Sequence, residues 1–122
     1  MKKEDLFCTQ AQATRLKSLG VAQQSAYPSK DGTLAAFSAP ELGAMLPPVI
    51  GEFKLQQWRT EESGVVKYRA SYSVGETCGF RSLLERPICG TAEARVRASL
   101  LIWLLENKVI GVDEINLRLL AA

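Results

Sequence analysis

Histidine does not occur in the 122 residues of the chain. That absence removes the commonest general base near neutral pH, and with it Ser-His-Asp and Cys-His triads. It also removes the commonest ligand of zinc, iron and copper. Carboxylate, lysine or tyrosine chemistry stays open, but the expectation is a binding protein and not an enzyme, with no catalytic residue, metal or cofactor assigned. Cysteine is sparse. Cys8, Cys78 and Cys89 are odd in number and form no C-x-x-C pair, which fits neither a disulfide framework nor a zinc site. Free thiols in a reducing compartment are expected. The longest apolar run, Leu100 to Leu105, is a third of the roughly 18 residues that suggest a membrane span. The opening MKKEDLF has no apolar segment behind it, so no secretory signal is read there. A cytoplasmic location without a membrane partner is expected. Neither G-x-x-x-x-G-K-[ST] nor G-x-G-x-x-G occurs, so no familiar phosphate loop is present.

The remaining composition is that of a globular protein. Hydrophobic residues make up 47% and charged residues 23%, enough for a core, and the length suits one domain spanning residues 1–122. The net charge of +2 comes from 15 basic and 13 acidic residues. That balance argues against a nonspecific nucleic-acid coat, whose basic stripe would dominate the count, and leaves room for a local basic pocket.

Periodicity and punctuation predict the elements. Residues 9–19 read as a short helix capped by Thr9 and stopped by Gly20. Asp31-Gly32 predicts a hairpin turn between Tyr27 and the segment Leu34 to Phe37, with Pro28 on an edge. Ser38 precedes a second short helix, APELGAML, which Pro47-Pro48 must end. EFKLQQW, a turn at Ser63-Gly64 and VVKYRASYSV form the clearest hairpin. Val66, Tyr68, Ala70 and Tyr72 share one face there, and Val65, Lys67, Arg69 and Ser71 the other. Residues 75–90 are irregular, and RSLLER fits either a strand or one helical turn. TAEARVRASLLIWLLENK is a long helix, with Thr91 as its cap, Glu93 near its positive end and Lys108 near its negative end. Leu100 to Leu105 is apolar all round, so it needs cover on more than one side. Either the sheet with a helical VDEINLRLL supplies that cover, or a subunit interface does, which points toward a homo-oligomer. The predicted fold is α+β, an antiparallel sheet of about four strands packed on one long C-terminal helix with short flanking helices.

Between residues 65 and 97, six basic residues (Lys67, Arg69, Arg81, Arg86, Arg95 and Arg97) stand against three acidic ones. Arginine's planar fork suits phosphate and carboxylate, and Tyr72 or Phe80 could stack on a base. The start of the long helix offers free N–H groups. The candidate ligand set is therefore Arg69, Tyr72, Phe80, Arg81, Arg86, Thr91 and Arg95, placed where the second hairpin, segment 75–90 and the start of the long helix meet. The competing reading is a polar face turned to water. Cys89 lies close to that helix start, which favours thiolate character, but without a histidine in the chain the expected reading is a buried inert thiol. Trp103, inside an apolar run, belongs to the core or an interface. Trp58, beside Lys54 and Gln56, is a candidate partner-binding anchor.

The order of ATRLKSLGV, a strand pair near a DG turn, APELGAMLP, an aromatic hairpin and TAEARVRASLLIWLLENKVI resembles small uncharacterised proteins of bacteriophages, prophages and mobile elements. The likeness covers roughly residues 9–110, and its motifs are mostly structural. The resemblance implies a phage accessory protein acting in the host cytoplasm, and such proteins frequently counter host immunity. Some sequester cyclic-nucleotide signals, and others inhibit a defence protein directly. It brings no catalytic residues with it.

Overall fold

A computed structural model describes residues 6–23, 34–76, 79–84 and 86–121. The expected hairpin around Tyr27, Pro28 and Asp31-Gly32 lies outside the described residues, as does Cys78. The first two helices form where their caps are written. Helix α1 (Gln10–Ser18) begins with a capping box, in which the Thr9 side chain accepts from the Gln12 backbone and the Gln12 side chain accepts from the Thr9 backbone. Helix α2 (Ala39–Met45) repeats the device with Ser38 and Glu41 and stops ahead of Pro47. Gly20, at φ +97°, ends the α1 turn in a conformation that favours glycine, and Val112 lies beside it.

The sheet has five strands: β1 (Val49–Ile50), β2 (Phe53–Glu62), β3 (Val65–Glu76), β4 (Gly79–Ser82) and β5 (Ile88–Gly90). Their order is β1-β2-β3-β4, with β5 also pairing with β3, and every pairing is antiparallel. Segment 75–90 thus contains two short strands that follow one another along the edge of β3. In RSLLER, Arg81 and Ser82 end β4 and Leu83 and Leu84 bend away from it, with Leu84 buried. Ser63 (φ 52°) and Gly64 (φ 79°) make a two-residue turn between Glu62 and Val65, the type that matches the twist of a hairpin.

Helix α3 (Glu93–Glu106) crosses the sheet, and α4 (Val112–Ala121) closes the fold. The described structure is α+β, as the sequence indicates, with a fifth short strand added. Leu100, Leu101 and Leu104 are fully buried in one cluster with Leu16 of α1, Leu42 and Met45 of α2, Ala70 and Tyr72 of β3, and Ile115 of α4. Leu100, Leu101, Leu104 and Leu105 are therefore covered by the chain's own elements, while Ile102 and Trp103 keep part of their surface exposed. Asn116 pins α4 to the end of α1. Its Oδ1 accepts from the Ala22 N–H at 2.7 Å and its Nδ2 donates to the Gly20 carbonyl at 3.1 Å.

Two details of α3 differ from expectation or refine it. Thr91 is exposed and does not cap the helix. The N-cap is Ala92, without a side-chain bond, because β5 carries the chain to Gly90 and the helix starts one residue later than the cap rule places it. At the far end, exposed Lys108 sits at φ 57° while Leu105 and Leu104 carbonyls accept from the N–H groups of Lys108 and Val109. That left-handed position favours glycine. Lys108→Gly is expected to raise stability by about 0.5–1 kcal/mol, read as a higher denaturant midpoint at unchanged slope.

Candidate functional site

The register of β2 and β3 decides which side chains can act together. Cross-strand partners share a face, so Leu55–Tyr72, Gln57–Ala70 and Arg59–Tyr68 form one row, and Gln56–Ser71, Trp58–Arg69 and Thr60–Lys67 the other. The first row packs toward α3. The second is the outer face, where β5 adds Cys89 beside Arg69. Trp58, Arg69 and Cys89 thus stand in line across three strands, with Trp58 40% exposed and the Cys89 thiol free and exposed. Toward its other end the outer face is closed: Ser71 and Ser73 are buried, and the Ser71 and Ser82 hydroxyls lie 3.0 Å apart.

A half-open cleft of about 280 Å³ lies between the hairpin and the first half of α3, lined by Gln57, Trp58, Arg59, Tyr68, Arg69, Ala70, Glu93, Val96 and Arg97. It lies between the hairpin and the helix start, two of the three elements the sequence brought together, and no residue of segment 75–90 lines it. Its lining residues are largely different. One wall is held by Arg97. That guanidinium donates to Gln57 Oε1 at 2.8 Å and to the Ala39 carbonyl at 2.6 Å, and it pairs with Glu93 at 2.5 Å. It therefore ties β2, α2 and α3 together. Gly43 makes the fit possible, because a Cβ there would stand 2.9 Å from Arg97 Nη1. Arg59 and Arg69 have no ion pair among the described residues. On the inward row Arg59 and Arg97 stand against the single carboxylate of Glu93 and Tyr68 adds a half-buried phenol, whereas Trp58 and Arg69 border the cleft from the outer row.

Of the sequence-predicted ligand set, Arg69 lines this cleft, and so does the proposed partner anchor Trp58. Tyr72 belongs to the core: it is fully buried and its hydroxyl donates to the Pro47 carbonyl at 2.6 Å. No face of the ring is left for a ligand, because the row it shares with Tyr68 turns inward toward α3. Arg81, in β4, pairs with Glu52 at 2.6 Å. Arg86 is exposed in the bend before β5, and Thr91 is exposed ahead of α3. Arg95 is half-buried on α3, where its carbonyl accepts from Gln12 Nε2 at 2.9 Å. Phe80 lies opposite Gly75 in β4, and its side chain is outside the described part. Arg81, Arg86, Thr91 and Arg95 are not among the cleft residues. Sequence reasoning missed Arg59 and Gln57 as site residues. The two-residue turn at Ser63-Gly64 was the available signal, since it requires β2 to run on to Glu62 and brings Arg59 opposite Tyr68.

Burial of the Tyr72 phenol raises its pKa well above the ordinary value of 10.0, through loss of solvation of the phenolate. The folded state holds this proton more tightly than the unfolded chain does. The resulting stability is therefore complete below about pH 10 and is lost as pH rises beyond it. Tyr72→Phe is expected to lower stability at neutral pH by about 1–2 kcal/mol, because the Pro47 carbonyl loses its donor. The same change should flatten the alkaline limb of a stability-versus-pH curve. Burial likewise pushes the Cys8 thiol up, which makes it unreactive.

Fold and cleft together define a two-layer α+β structure with a basic, aromatic-flanked recess toward the turn end of its hairpin. Family models, curated proteins and solved structures yield no match to the chain. Among the described residues no helix is long and apolar enough to cross a membrane, and no group of three or more Cys, Asp or Glu residues could hold a metal ion.

Proposed function

We propose that this chain is a binding protein that holds an anionic, nucleotide-like ligand in the cleft between the β2–β3 hairpin and α3. The observation that carries the reading is Arg59, which lines the cleft from the inward row beside Tyr68 and has no ion pair among the described residues, while Arg97 already engages the one carboxylate, Glu93. Arg59 remains to meet an anion, with Gln57 as a polar contact and Tyr68 as an aromatic one. The cleft offers positioned cations without a general base that is free to act, so its chemistry is recognition. Together with the phage-like resemblance of the sequence, this supports an accessory protein of a phage or mobile element, working in the host cytoplasm by sequestering a nucleotide signal of host defence. The homo-oligomer expected from the sequence stays part of the reading on a different basis, the open edge of β2.

Titration of the protein with linear and cyclic mono- and dinucleotides tests the proposal. Tryptophan fluorescence in a Trp103→Phe background reports Trp58 alone. A saturable change with at least one member of the panel, weakened by added salt, is expected. A flat response across the panel would sink the ligand reading. Exposed Trp58 and Val65 favour the second reading, a surface that blocks a host defence protein. Under that reading Trp58→Ala abolishes capture of one specific host partner while nucleotides have no effect.

A further inference from the structure

Strand β2 is paired along its full length by β3 on one side. On the other side β1 reaches only Phe53 and Lys54, and the Pro48 carbonyl accepts from the Leu55 N–H at 3.0 Å. Backbone groups of successive strand residues point to alternate sides. The Leu55 bond therefore fixes the remainder: Gln57, Arg59 and Glu61 aim their N–H and C=O groups outward, away from β3. Gln56 to Arg59, Glu61 and Glu62 are exposed, so this edge is uncovered. Proline and bulges commonly protect such edges. Here β2 contains no proline and its register with β3 is unbroken.

We infer that a second copy of this chain pairs antiparallel with the β2 edge, the two-fold axis passing beside Thr60. A two-fold pairing places each face of the sheet next to the same face of its copy, so an exposed residue must lie on the axis opposite itself. With Trp58 on the axis, the pairing needs the Leu55 backbone, which Pro48 already occupies. With Arg59 on the axis, two guanidinium groups stand directly opposite, which is destabilising. With Thr60 on the axis, Arg59 of each copy lies opposite Glu61 of the other, and both outward residues exchange backbone hydrogen bonds. Charge and backbone occupancy select the same register.

One consequence rests on the reading of the cleft as an anion site. Arg59 lines it, so Glu61 of the second copy takes the guanidinium that the cleft offers to a ligand. Dimer and ligand then compete.

Sedimentation of the full chain over a dilution series should show a monomer–dimer equilibrium. Arg59→Glu and Glu61→Arg should each weaken dimerisation by about tenfold or more, and the double variant, which exchanges the two charges, should restore it. Thr60→Cys, with Cys78 and Cys89 replaced by serine, should oxidise to a linked dimer. Facing Cα atoms at such a position lie about 4.5 Å apart, within disulfide range. Trp58→Cys in the same background should not link to itself. A monomer at every concentration, or a dimer indifferent to the charge exchange, overturns the inference. A dimer that binds no nucleotide leaves the inference standing and removes only the cleft reading. A strict monomer that binds one does the reverse.

Discussion

Leu101→Ala is expected to lower the unfolding free energy by about 2–5 kcal/mol, the range for deleting a fully buried leucine side chain and leaving a cavity. Leu101 has no solvent exposure, nor have Leu100 and Leu104 beside it. Elements on several sides of α3 converge on this stretch: α1 through Leu16, α2 through Leu42 and Met45, the sheet through Tyr72, and α4 through Ile115. Packed neighbours of that kind cannot collapse freely into the space of a lost isobutyl group. The cover is supplied within one chain, so the loss should be the same in dilute and concentrated protein. Chemical denaturation of the two proteins at low and high concentration checks both the size and the constancy. A loss that grows with protein concentration would place Leu101 in a subunit interface.

Arg97→Met should cost about 2–3 kcal/mol, although the aliphatic part of the side chain is retained. Arg97 is 18% exposed at its side chain and serves three acceptors on three elements, the Ala39 carbonyl in α2, Gln57 in β2 and Glu93 in its own helix. Charged hydrogen bonds contribute about 1.5–3 kcal/mol, and acceptors left without a donor add a penalty of their own. The Glu93 part is the smaller share, because that carboxylate is 43% exposed and screened by solvent. Gly43→Ala tests the same clamp from the other side. Its new Cβ presses on Nη1, so it should destabilise in the same direction and add little in the Arg97→Met background, where the clamp is already gone. Thermal or denaturant unfolding of the two single variants and the double reads this directly.

The parts of the structure that were legible in the sequence are those governed by local rules. Thr9 with Gln12, and Ser38 with Glu41, announce capping boxes by spacing alone, and both helices start there. The alternation of Val65 to Val74 assigned the two faces of β3 correctly. Depth along a face was not legible. Tyr68 and Tyr72 occupy the same row, yet Tyr68 lies nearer the turn of the hairpin and Tyr72 under α3, where it bonds to Pro47. That difference depends on where a helix distant in sequence crosses the strand. The candidate site shows the same division. The hairpin and the helix start border the cleft, while segment 75–90, expected there as well, contributes no lining residue. The site's chemistry depended on contacts between positions far apart in the chain: Arg97 with Gln57, Arg97 with Ala39, and Arg59 beside Tyr68. A count of arginines between residues 65 and 97 excluded Arg59, and it included Arg81, which Glu52 occupies. Thr91 failed as a cap because pairing of β5 with β3 governs the chain up to Gly90, and the pairing overrides the local signal.

The central claim is that anion recognition resides in the cleft and depends on Arg59. Calorimetric titration with the tightest-binding nucleotide of the panel tests it most directly, performed on the unaltered protein, Arg59→Glu, Arg69→Glu and Arg86→Glu. Arg59→Glu reverses the cation on the inward row of the cleft, whereas Arg69 stands on the outer row and Arg86 is exposed in the bend before β5 and lines none of it. Loss of a charged hydrogen bond of about 1.5–3 kcal/mol corresponds to roughly tenfold to a hundredfold in affinity. The account predicts weakening of that size in Arg59→Glu, with Arg69→Glu and Arg86→Glu closer to the unaltered protein. Equal affinity in all four proteins, or a loss confined to Arg69→Glu or Arg86→Glu, would contradict it.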